Sequence, residues 1–227
     1  MMKLPRLKKL DLKCLNLASL EPELFVRVVT RLEDVNLEDT KITDVQIQTL
    51  FTAMAQNTGL KKLDFSVLNL SSLEPQLFAR VVTRLEDVNL YGTDITDVQM
   101  QTLFTEMSQK SHLKKLDLEE KNLSSLELEM FARVLTRLED VDLYDTVITD
   151  VQIQALFTEM SQNSQLRKLN LCEKNLSSLE PQLFARVVTR LEDVNLSGTN
   201  ITDLQIQALF TEMSQNSPLG GPSTKSA

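Results

Sequence analysis

The residues with the chemistry for catalysis or metal binding are few and widely separated. His112 is the only histidine in the 227-residue chain, which excludes a multi-histidine metal site and leaves few catalytic triads. Cys14 and Cys172 are the only thiols, and we expect both to be free, because they fall on distant strands of the repeats described below. The five glycines form no loop that could hold a phosphate. We therefore expect a protein that is not an enzyme, with no catalytic residue, no cofactor and no metal site.

The overall charge and hydropathy limit the partners and the location. The chain has 24 basic and 32 acidic residues and a net charge of −8, which argues against a nucleic-acid ligand and favours a basic partner. No apolar stretch is long enough for a signal peptide or a membrane span. Two cysteines are too few for a secreted disulfide scaffold. We expect a cytoplasmic protein that binds neither nucleic acid nor membrane.

The rest of the chain is an internal repeat, whose elements must position these residues. The first repeat type opens at Leu7, Leu60, Leu113 and Leu166, and the second at Leu32, Leu85, Leu138 and Leu191. The two types are 25 and 28 residues long and form a 53-residue pair that occurs four times. Each opens with the motif L-x-x-[LV]-x-[LF]-x-x-x-x-[LI], as in LEDVNLYGTDI from Leu85. Its alternating apolar residues predict a strand.

A helix is predicted after each motif. Apolar residues recur with helical spacing, as at Ile47, Leu50, Phe51 and Met54. In the second repeat type, Thr-x-x-Gln predicts a capping box at Thr43/Gln46, Thr96/Gln99, Thr149/Gln152 and Thr202/Gln205. In the first type, Pro22, Pro75 and Pro181 mark the first helical position, where Leu128 stands in the remaining copy.

One strand and one helix cannot bury their own leucines, so the repeats must stack into a solenoid. The eight motifs resemble those of leucine-rich repeat proteins of the ribonuclease-inhibitor-like class. The resemblance implies an α/β horseshoe solenoid, with a parallel sheet on the concave face and helices on the convex face. We expect residues 1–216 to form a single leucine-rich repeat domain of eight repeats, and residues 217–227 to form a flexible tail.

One motif position departs from that family. The ninth position, where the family usually has asparagine or cysteine, holds Leu15, Thr40, Leu68, Thr93, Lys121, Thr146, Lys174 and Thr199. Threonine can supply one hydroxyl bond to the backbone of the turn, whereas leucine cannot. Asparagine at the tenth position, Asn16, Asn69, Asn122 and Asn175, is a candidate substitute through a shifted loop. The geometry of this turn stays open at this point.

The second and third motif positions alternate in charge from one repeat to the next. They read Lys8-Lys9, Glu33-Asp34, Lys61-Lys62, Glu86-Asp87, Lys114-Lys115, Glu139-Asp140, Arg167-Lys168 and Glu192-Asp193. In a parallel sheet such rows meet across neighbouring strands. We interpret the alternation as structural, since it neutralises charge and fixes the register.

The seventh and eighth motif positions, which we name the variable window, differ most among the copies. They read Lys13-Cys14, Glu38-Asp39, Ser66-Val67, Tyr91-Gly92, Glu119-Glu120, Tyr144-Asp145, Cys172-Glu173 and Ser197-Gly198. The tenth position of the second type also varies, while exposed helix positions such as Thr30, Arg31 and Gln48 repeat unchanged. This contrast predicts a recognition surface along one edge of the concave sheet. Its candidate partner-binding residues are Ser66, Val67, Tyr91, Asp94, Glu119, Glu120, Tyr144, Asp145, Cys172 and Glu173.

Two tyrosines are the expected anchors of that surface. Tyr91 and Tyr144 share a register two strands apart, which predicts a separation of about 10 Å with Glu119 between them. Tyrosines on a rigid sheet offer a large contact area for few frozen torsions. Together with the acidic C-terminal half of the window, they predict a protein ligand with a basic patch beside an apolar group.

Protein binding is therefore the first functional hypothesis. The repeat pairs also resemble the leucine-rich regions of intracellular NOD-like (NLR-type) receptors, which implies the ligand-sensing part of an innate immune receptor. The alternative is a structural or scaffold segment, or an engineered or consensus-like array, without catalytic activity. No polar cap precedes Leu7, and the last helix runs directly into SPLGGPSTKSA. A segment of a longer protein and a chain that self-associates through uncapped ends both remain open.

Overall fold

The computed structural model describes residues 7–215, in which eight strands alternate with eight helices. The predicted tail, residues 217–227, lies outside the described residues. The strands are β1 (Lys9–Asp11), β2 (Asp34–Asn36), β3 (Lys62–Asp64), β4 (Asp87–Asn89), β5 (Lys115–Asp117), β6 (Asp140–Asp142), β7 (Lys168–Asn170) and β8 (Asp193–Asn195). The helices are α1 (Pro22–Val29), α2 (Asp44–Gln56), α3 (Pro75–Val82), α4 (Asp97–Gln109), α5 (Leu128–Leu135), α6 (Asp150–Gln162), α7 (Pro181–Val188) and α8 (Asp203–Gln215).

The strands form one parallel sheet in the order β1-β2-β3-β4-β5-β6-β7-β8. The same motif positions pair throughout, as in Lys62 with Asp87 and Leu63 with Val88. Strands lie about 4.8 Å apart and packed helices about 8–10 Å apart, so the stack bends with the sheet on its concave face and the helices on its convex face. The predicted α/β repeat solenoid is thereby confirmed. Each strand spans only the third to fifth motif positions, because the chain turns at the window immediately afterwards.

A single continuous core runs through the stack. Motif leucines point into it, and each inner helix adds one phenylalanine that is fully shielded from solvent. Rings of successive repeats lie parallel, with centroids 6.2 Å apart for Phe157 and Phe184 and 6.4 Å apart for Phe104 and Phe131. Each repeat therefore buries the apolar face of its neighbour, as a solenoid requires.

The predicted capping boxes are confirmed, and their glutamines do more than cap. In α4 the Gln99 backbone N–H donates to the Thr96 hydroxyl at 3.2 Å, and the Thr96 N–H donates to Gln99 Oε1 at 2.7 Å. The buried Gln99 Nε2 donates to the carbonyls of Leu70 and Leu73, at 2.8 and 2.9 Å, in the preceding repeat. Gln46, Gln152 and Gln205 make the same set of bonds. A local helix cap thus also joins two repeats.

The short helices begin as predicted, with proline first in α1, α3 and α7 and leucine first in α5. A glutamate precedes the helix, and the Glu74 carboxylate accepts the Leu77 N–H at 2.7 Å. Glu127 and Glu180 cap α5 and α7 in the same way.

Some constant surface positions have structural roles. The Arg137 guanidinium donates to the Ser108 carbonyl at 2.8 Å, and Arg190 donates to the Ser161 carbonyl at 2.8 Å, so that each closes the end of the preceding long helix. The Thr83 hydroxyl donates to the Ala79 carbonyl at 2.9 Å. These arginines and threonines are constant because the fold requires them. Their constancy is therefore weaker evidence that the variable window is a recognition surface.

The alternating charges pair across the strands, as predicted. Ion pairs join Lys9 to Asp34 at 3.2 Å, Lys62 to Asp87 at 3.3 Å and Lys115 to Asp140 at 3.6 Å. Each exposed pair is worth about 0.2–1 kcal/mol, so the rows serve register more than stability. Separately, none of the helices within residues 7–215 is long and apolar enough to cross a membrane.

Candidate functional site

The variable window is a stack of tight turns at the carboxyl edge of the sheet. In every repeat the N–H of the ninth motif position donates to the carbonyl of the sixth, at 3.0–3.2 Å. The eighth residue has a positive φ in all eight repeats, from 49° at Asp145 to 67° at Gly198. A positive φ at the third residue of a β-turn is the geometry of a type II turn, which favours glycine there. Only Gly92 and Gly198 follow that preference.

A row of short polar side chains at the fifth motif position holds these turns. In each repeat the carbonyl or carboxylate Oδ1 of this residue accepts the backbone N–H of the seventh residue, as Asn89 does from Tyr91 at 2.9 Å and Asp142 from Tyr144 at 2.8 Å. The row is Asp11, Asn36, Asp64, Asn89, Asp117, Asp142, Asn170 and Asn195. Sequence reasoning missed these residues, although an invariable aspartate or asparagine two positions before a turn is a recognisable Asx-turn signal.

Backbone bonds also join the turns of neighbouring repeats. The Val67 N–H donates to the Tyr91 carbonyl at 2.8 Å, and the Glu120 N–H donates to the Tyr144 carbonyl at 3.3 Å. The Glu173 N–H donates to the Ser197 carbonyl at 2.8 Å. Between the fourth and fifth repeats the nearest such bond lies one position before the window, from the Leu90 N–H to the Asp117 carbonyl at 3.1 Å. The turns therefore follow one edge of a continuous sheet, and Tyr91 and Tyr144 lie on the same side of the molecule.

Glu119 follows the strand between those of the two tyrosines, and its charge helps to raise the pKa of both phenols. Carboxylates raise the pKa of the Tyr91 phenol, Glu120 most strongly and then Glu119. Glu173 is the largest cause of the raised pKa of Tyr144, and Glu119 contributes there as well. Both phenols keep their proton at neutral pH and can donate a hydrogen bond, while both rings are half-exposed.

The acidic half of the window extends inward to two adjacent aspartates. In the fifth-position row asparagine amides satisfy two carboxylates, since Asn89 Nδ2 donates to Asp64 Oδ2 at 3.3 Å and Asn170 Nδ2 donates to Asp142 Oδ2 at 3.0 Å. Asp117 and Asp142 are neighbours without an intervening amide. Burial, followed by repulsion from Asp142, raises the pKa of Asp117. Burial, followed by repulsion from Asp117 and Asp142, raises the pKa of Glu119.

The open question about the ninth position has two structural answers. The threonine hydroxyls donate to the sixth-position carbonyl of their own turn, as Thr93 does to Leu90 at 2.6 Å. Lys121 and Lys174 are buried, and their Nζ atoms donate to the carbonyls of Thr93 and Thr146 in the preceding repeat, at 2.9 and 2.7 Å. Burial lowers the pKa of both lysines, against the opposing effect of nearby carboxylates.

The tenth-position asparagines bond to the backbone of their own loops. Asn69 Oδ1 accepts the Ser71 N–H at 3.0 Å within its own loop, and Asn122 accepts the Ser124 N–H at 3.1 Å in the same way. Each tenth-position asparagine thus bonds to the backbone of its own loop, at the N–H two residues later.

Part of the window's variation has a structural cause. Where the ninth residue is Leu15 or Leu68, the eighth is uncharged Cys14 or Val67. Where the ninth residue is Lys121 or Lys174, the eighth is Glu120 or Glu173. Burial lowers the pKa of each lysine, and the charge of the adjacent glutamate acts in the opposite direction. A buried ammonium needs such nearby compensation. Glu120 and Glu173 therefore have a role within the protein in addition to any role toward a partner.

The predicted partner-binding residues separate by exposure. Val67, Asp94, Glu120, Asp145 and Glu173 are exposed. The half-exposed ones are Tyr91, Glu119, Tyr144 and Cys172. Ser66 is a correction: it is 1% exposed, and its hydroxyl donates to the Asp64 carboxylate beneath it. It cannot contact a partner, because the turn points its short side chain back toward the sheet.

The remaining chemistry-bearing residues lie away from the window or apart from one another. His112 is exposed in the loop before β5, where its backbone N–H donates to the Thr83 carbonyl at 2.8 Å. Cys14 and Cys172 are free cysteines. Within residues 7–215, no group of three or more histidine, cysteine, aspartate or glutamate side chains is arranged to hold a metal ion. A groove of about 320 Å³ lies over paired charges such as Lys115 and Asp140, outside the candidate residues.

Comparison with known proteins gives no family for this arrangement. The sequence matches no protein-family model, and a search of the curated proteins found no match.

Proposed function

We propose that this chain is a protein-recognition module that binds its ligand at the variable window, with Tyr91 and Tyr144 as anchors on either side of Glu119. The observation that carries the proposal is geometric: Tyr91, Glu119 and Tyr144 occupy the same turn position after three consecutive strands, at one edge of a continuous parallel sheet. A rigid edge with two half-exposed aromatic rings offers contact area at little entropic cost.

The electrostatics favour a ligand that presents lysine or arginine beside an apolar group. Asp117 and Glu119 have raised pKa values, which means that their ionised forms are insufficiently compensated within the protein. A cation delivered by a partner would favour the ionised forms and fill that deficit. The tyrosine rings would pack against the apolar group and the aliphatic part of the basic side chain.

Backbone conformation gives independent support. Val67, Glu120 and Glu173 occupy left-handed turn positions at φ of 64°, 64° and 63°, where glycine would avoid strain. Residues held in such conformations cost about 1–3 kcal/mol each and concentrate at functional sites. Compensation of buried lysines accounts for the two glutamates, but Val67, 48% exposed, has no such internal role. Its strained, exposed side chain is consistent with contact to a ligand.

We further propose that the repeats are leucine-rich repeats of the ribonuclease-inhibitor-like class, as in the ligand-sensing part of an NLR-type receptor. This rests on the eleven-residue motif, the helix in every repeat and the near-identical 53-residue pairs. The proposal includes no catalytic activity and no nucleic-acid ligand.

The test is binding by the double variant Y91A/Y144A. The probe is a peptide array in which Lys or Arg is placed beside Leu or Phe, with matched peptides carrying Glu at the basic position. We expect wild type to bind the basic peptides selectively. Each anchor truncation should cost at least about 2 kcal/mol, roughly 30-fold in affinity, while the melting temperature stays nearly unchanged because both rings are half-exposed.

Two controls make the result specific. V98A/V151A removes two exposed side chains of similar apolar character from the convex helices and should bind like wild type. A second variant places serine, the residue found at Ser197, at the seventh position of all eight windows and leaves the eighth residues, including Glu120 and Glu173, unchanged. It should fold, because the turn bond at the seventh position uses only a backbone N–H, and it should bind nothing. Undiminished binding by Y91A/Y144A, or equal binding of the acidic peptides, would reject the proposed site.

A further inference from the structure

The last described helix presents an apolar face that its counterparts bury. Phe210 is 68% exposed, whereas Phe157, at the same position one pair earlier, is 0% exposed beneath the next repeat. Ile206 and Met213 are also exposed, although their counterparts Ile153 and Met160 are buried. We name this surface, Ile206, Phe210 and Met213, the C-terminal face.

The first described repeat presents the opposite half of the same kind of contact. Val28 is 46% exposed, whereas its counterpart Val81 is 1% exposed beneath the preceding repeat. Leu15 and Leu20 are exposed as well, although in the third repeat Leu68 and Leu73 are buried. We name this surface, Leu15, Leu20 and Val28, the N-terminal face.

These two faces are the two sides of a junction that the chain already makes three times. A repeat of the second type is followed by one of the first type between α2 and α3, α4 and α5, and α6 and α7. Across the last of these, Phe157 and Phe184 stack at 6.2 Å. Helices α6 and α8 differ by one residue, Val151 against Leu204, so the C-terminal face has the shape that already accepts such a repeat. The pair equivalent to Phe157 and Phe184 would be Phe210 and Phe25 of a second copy.

The sheet edges are complementary in their hydrogen bonds. At the internal junction the Leu143 N–H donates to the Asn170 carbonyl at 3.1 Å, and the Lys168 N–H donates to the Glu139 carbonyl at 3.0 Å. Within residues 7–215, β1 and β8 are the two edges of the sheet. By equivalence, the Leu196 N–H of one copy would donate to the Asp11 carbonyl of a second copy. The Lys9 N–H of the second copy would donate to the Glu192 carbonyl of the first. Open edges of this kind are templates for strand addition.

The charges are complementary too. Internally, Glu86 pairs with Lys61 on one side at 3.6 Å and with Lys114 on the other at 3.7 Å. Glu192 pairs with Arg167 at 3.4 Å, and the position equivalent to Lys114 would be filled by Lys8 of a second copy. Apolar packing, backbone bonds and charge thus agree on a single register.

We propose that the C-terminal face of one copy docks on the N-terminal face of a second copy, so that β8 of the first is followed by β1 of the second in one parallel sheet. The contact is heterologous, because the two faces differ, and it leaves a free face at each end for further growth. The occupant is a second copy of this chain. The proposal does not depend on the ligand of the variable window.

The experiment is sedimentation velocity over a concentration series, with one variant for each face. V28D blocks the N-terminal face and F210D blocks the C-terminal face; both side chains are exposed in the single chain, so both variants should keep the wild-type circular dichroism spectrum. We expect wild type to form a concentration-dependent ladder of dimers and larger species. Each variant alone should be monomeric, with a dissociation constant raised at least about 100-fold, the effect of losing a central interface side chain.

The decisive sample is the equimolar mixture of V28D and F210D. Each retains the face that the other lacks, so the mixture should form dimers and nothing larger. V98D, which makes the same change at an exposed valine of α4, should assemble like wild type. A wild-type protein that is monomeric at all concentrations overturns the proposal, whatever covers the two faces. Dimerisation of either single variant by itself overturns it as well, because it would show a contact between identical faces.

Discussion

The sharpest test of the fold is the replacement of one buried glutamine, Q99L, with Q101L as its matched control on the same helix. Gln99 is buried and joins its own helix start to the preceding repeat, whereas Gln101, two residues later, is exposed. The same substitution at two neighbouring positions therefore separates the effect of the hydrogen bonds from that of helix composition.

The magnitude follows from the groups that Q99L leaves without partners. The Leu73 carbonyl loses its donor and the Thr96 N–H loses its acceptor, whereas the Leu70 carbonyl keeps the Leu73 N–H at 3.1 Å. An orphaned buried polar group costs about 1–3 kcal/mol, so two of them cost roughly 2–6 kcal/mol. The added leucine side chain returns up to about 1.5–2 kcal/mol through apolar burial. We expect Q99L to lose about 1–4 kcal/mol, and Q101L to stay within about 0.5 kcal/mol of wild type.

The assay is urea unfolding followed by circular dichroism, together with native-state amide hydrogen exchange. The loss should be concentrated at the junction of the third and fourth repeats, since solenoid stability is a sum of local and nearest-neighbour contributions. Exchange should therefore accelerate first in α3 and at the start of α4. If Q99L and Q101L have free energies of unfolding within about 0.5 kcal/mol of each other, the glutamine does not join the repeats and the argument fails.

Two further predictions concern the turns and their charges. V67G should stabilise the protein by about 0.5–1 kcal/mol. Relieving the strain of a left-handed β-branched residue gains about 1–2 kcal/mol, which exceeds the entropic cost of glycine, about 0.5–1 kcal/mol. Thermal unfolding would measure the change, and G92V should destabilise the protein for the same reason. D117N should be more stable than wild type at pH 7, since a raised folded-state pKa means that ionisation of Asp117 costs stability. That advantage should vanish as the pH falls below about 3.9, where the carboxyl is protonated in the unfolded chain too. A D117N advantage that persists at low pH, or an equal gain from D64N, would contradict this account.

The local elements could be predicted from the sequence because their signals are local. Thr96 and Gln99 are three residues apart, and their capping box follows from that spacing alone. Pro75 predicts the first helical residue because proline lacks an N–H and has a fixed φ, which are properties of that residue alone. Predicting that Lys62 pairs with Asp87 required one further assumption, a uniform parallel register. The regular repeat of the sequence justifies that assumption.

The roles of several polar residues could not be predicted in this way. Lys121 has the composition of a solvated surface charge, but its ammonium group is buried against the Thr93 carbonyl, 28 residues earlier. Ser66 belongs to an exposed-looking pair, but its turn directs it inward. The second function of Gln99 depends on carbonyls 26 and 29 residues away.

The sequence by itself therefore determined the period, the alternation of strand and helix, and the order in which the elements stack. Only the tertiary structure decided which side chains reach the neighbouring repeat, which turn residues adopt a positive φ, and which apolar surfaces stay open at the two end faces. The physical reason is that periodicity specifies the face of an element on which a residue lies. Whether that face is solvent, core or another repeat's backbone depends on how the repeats pack together.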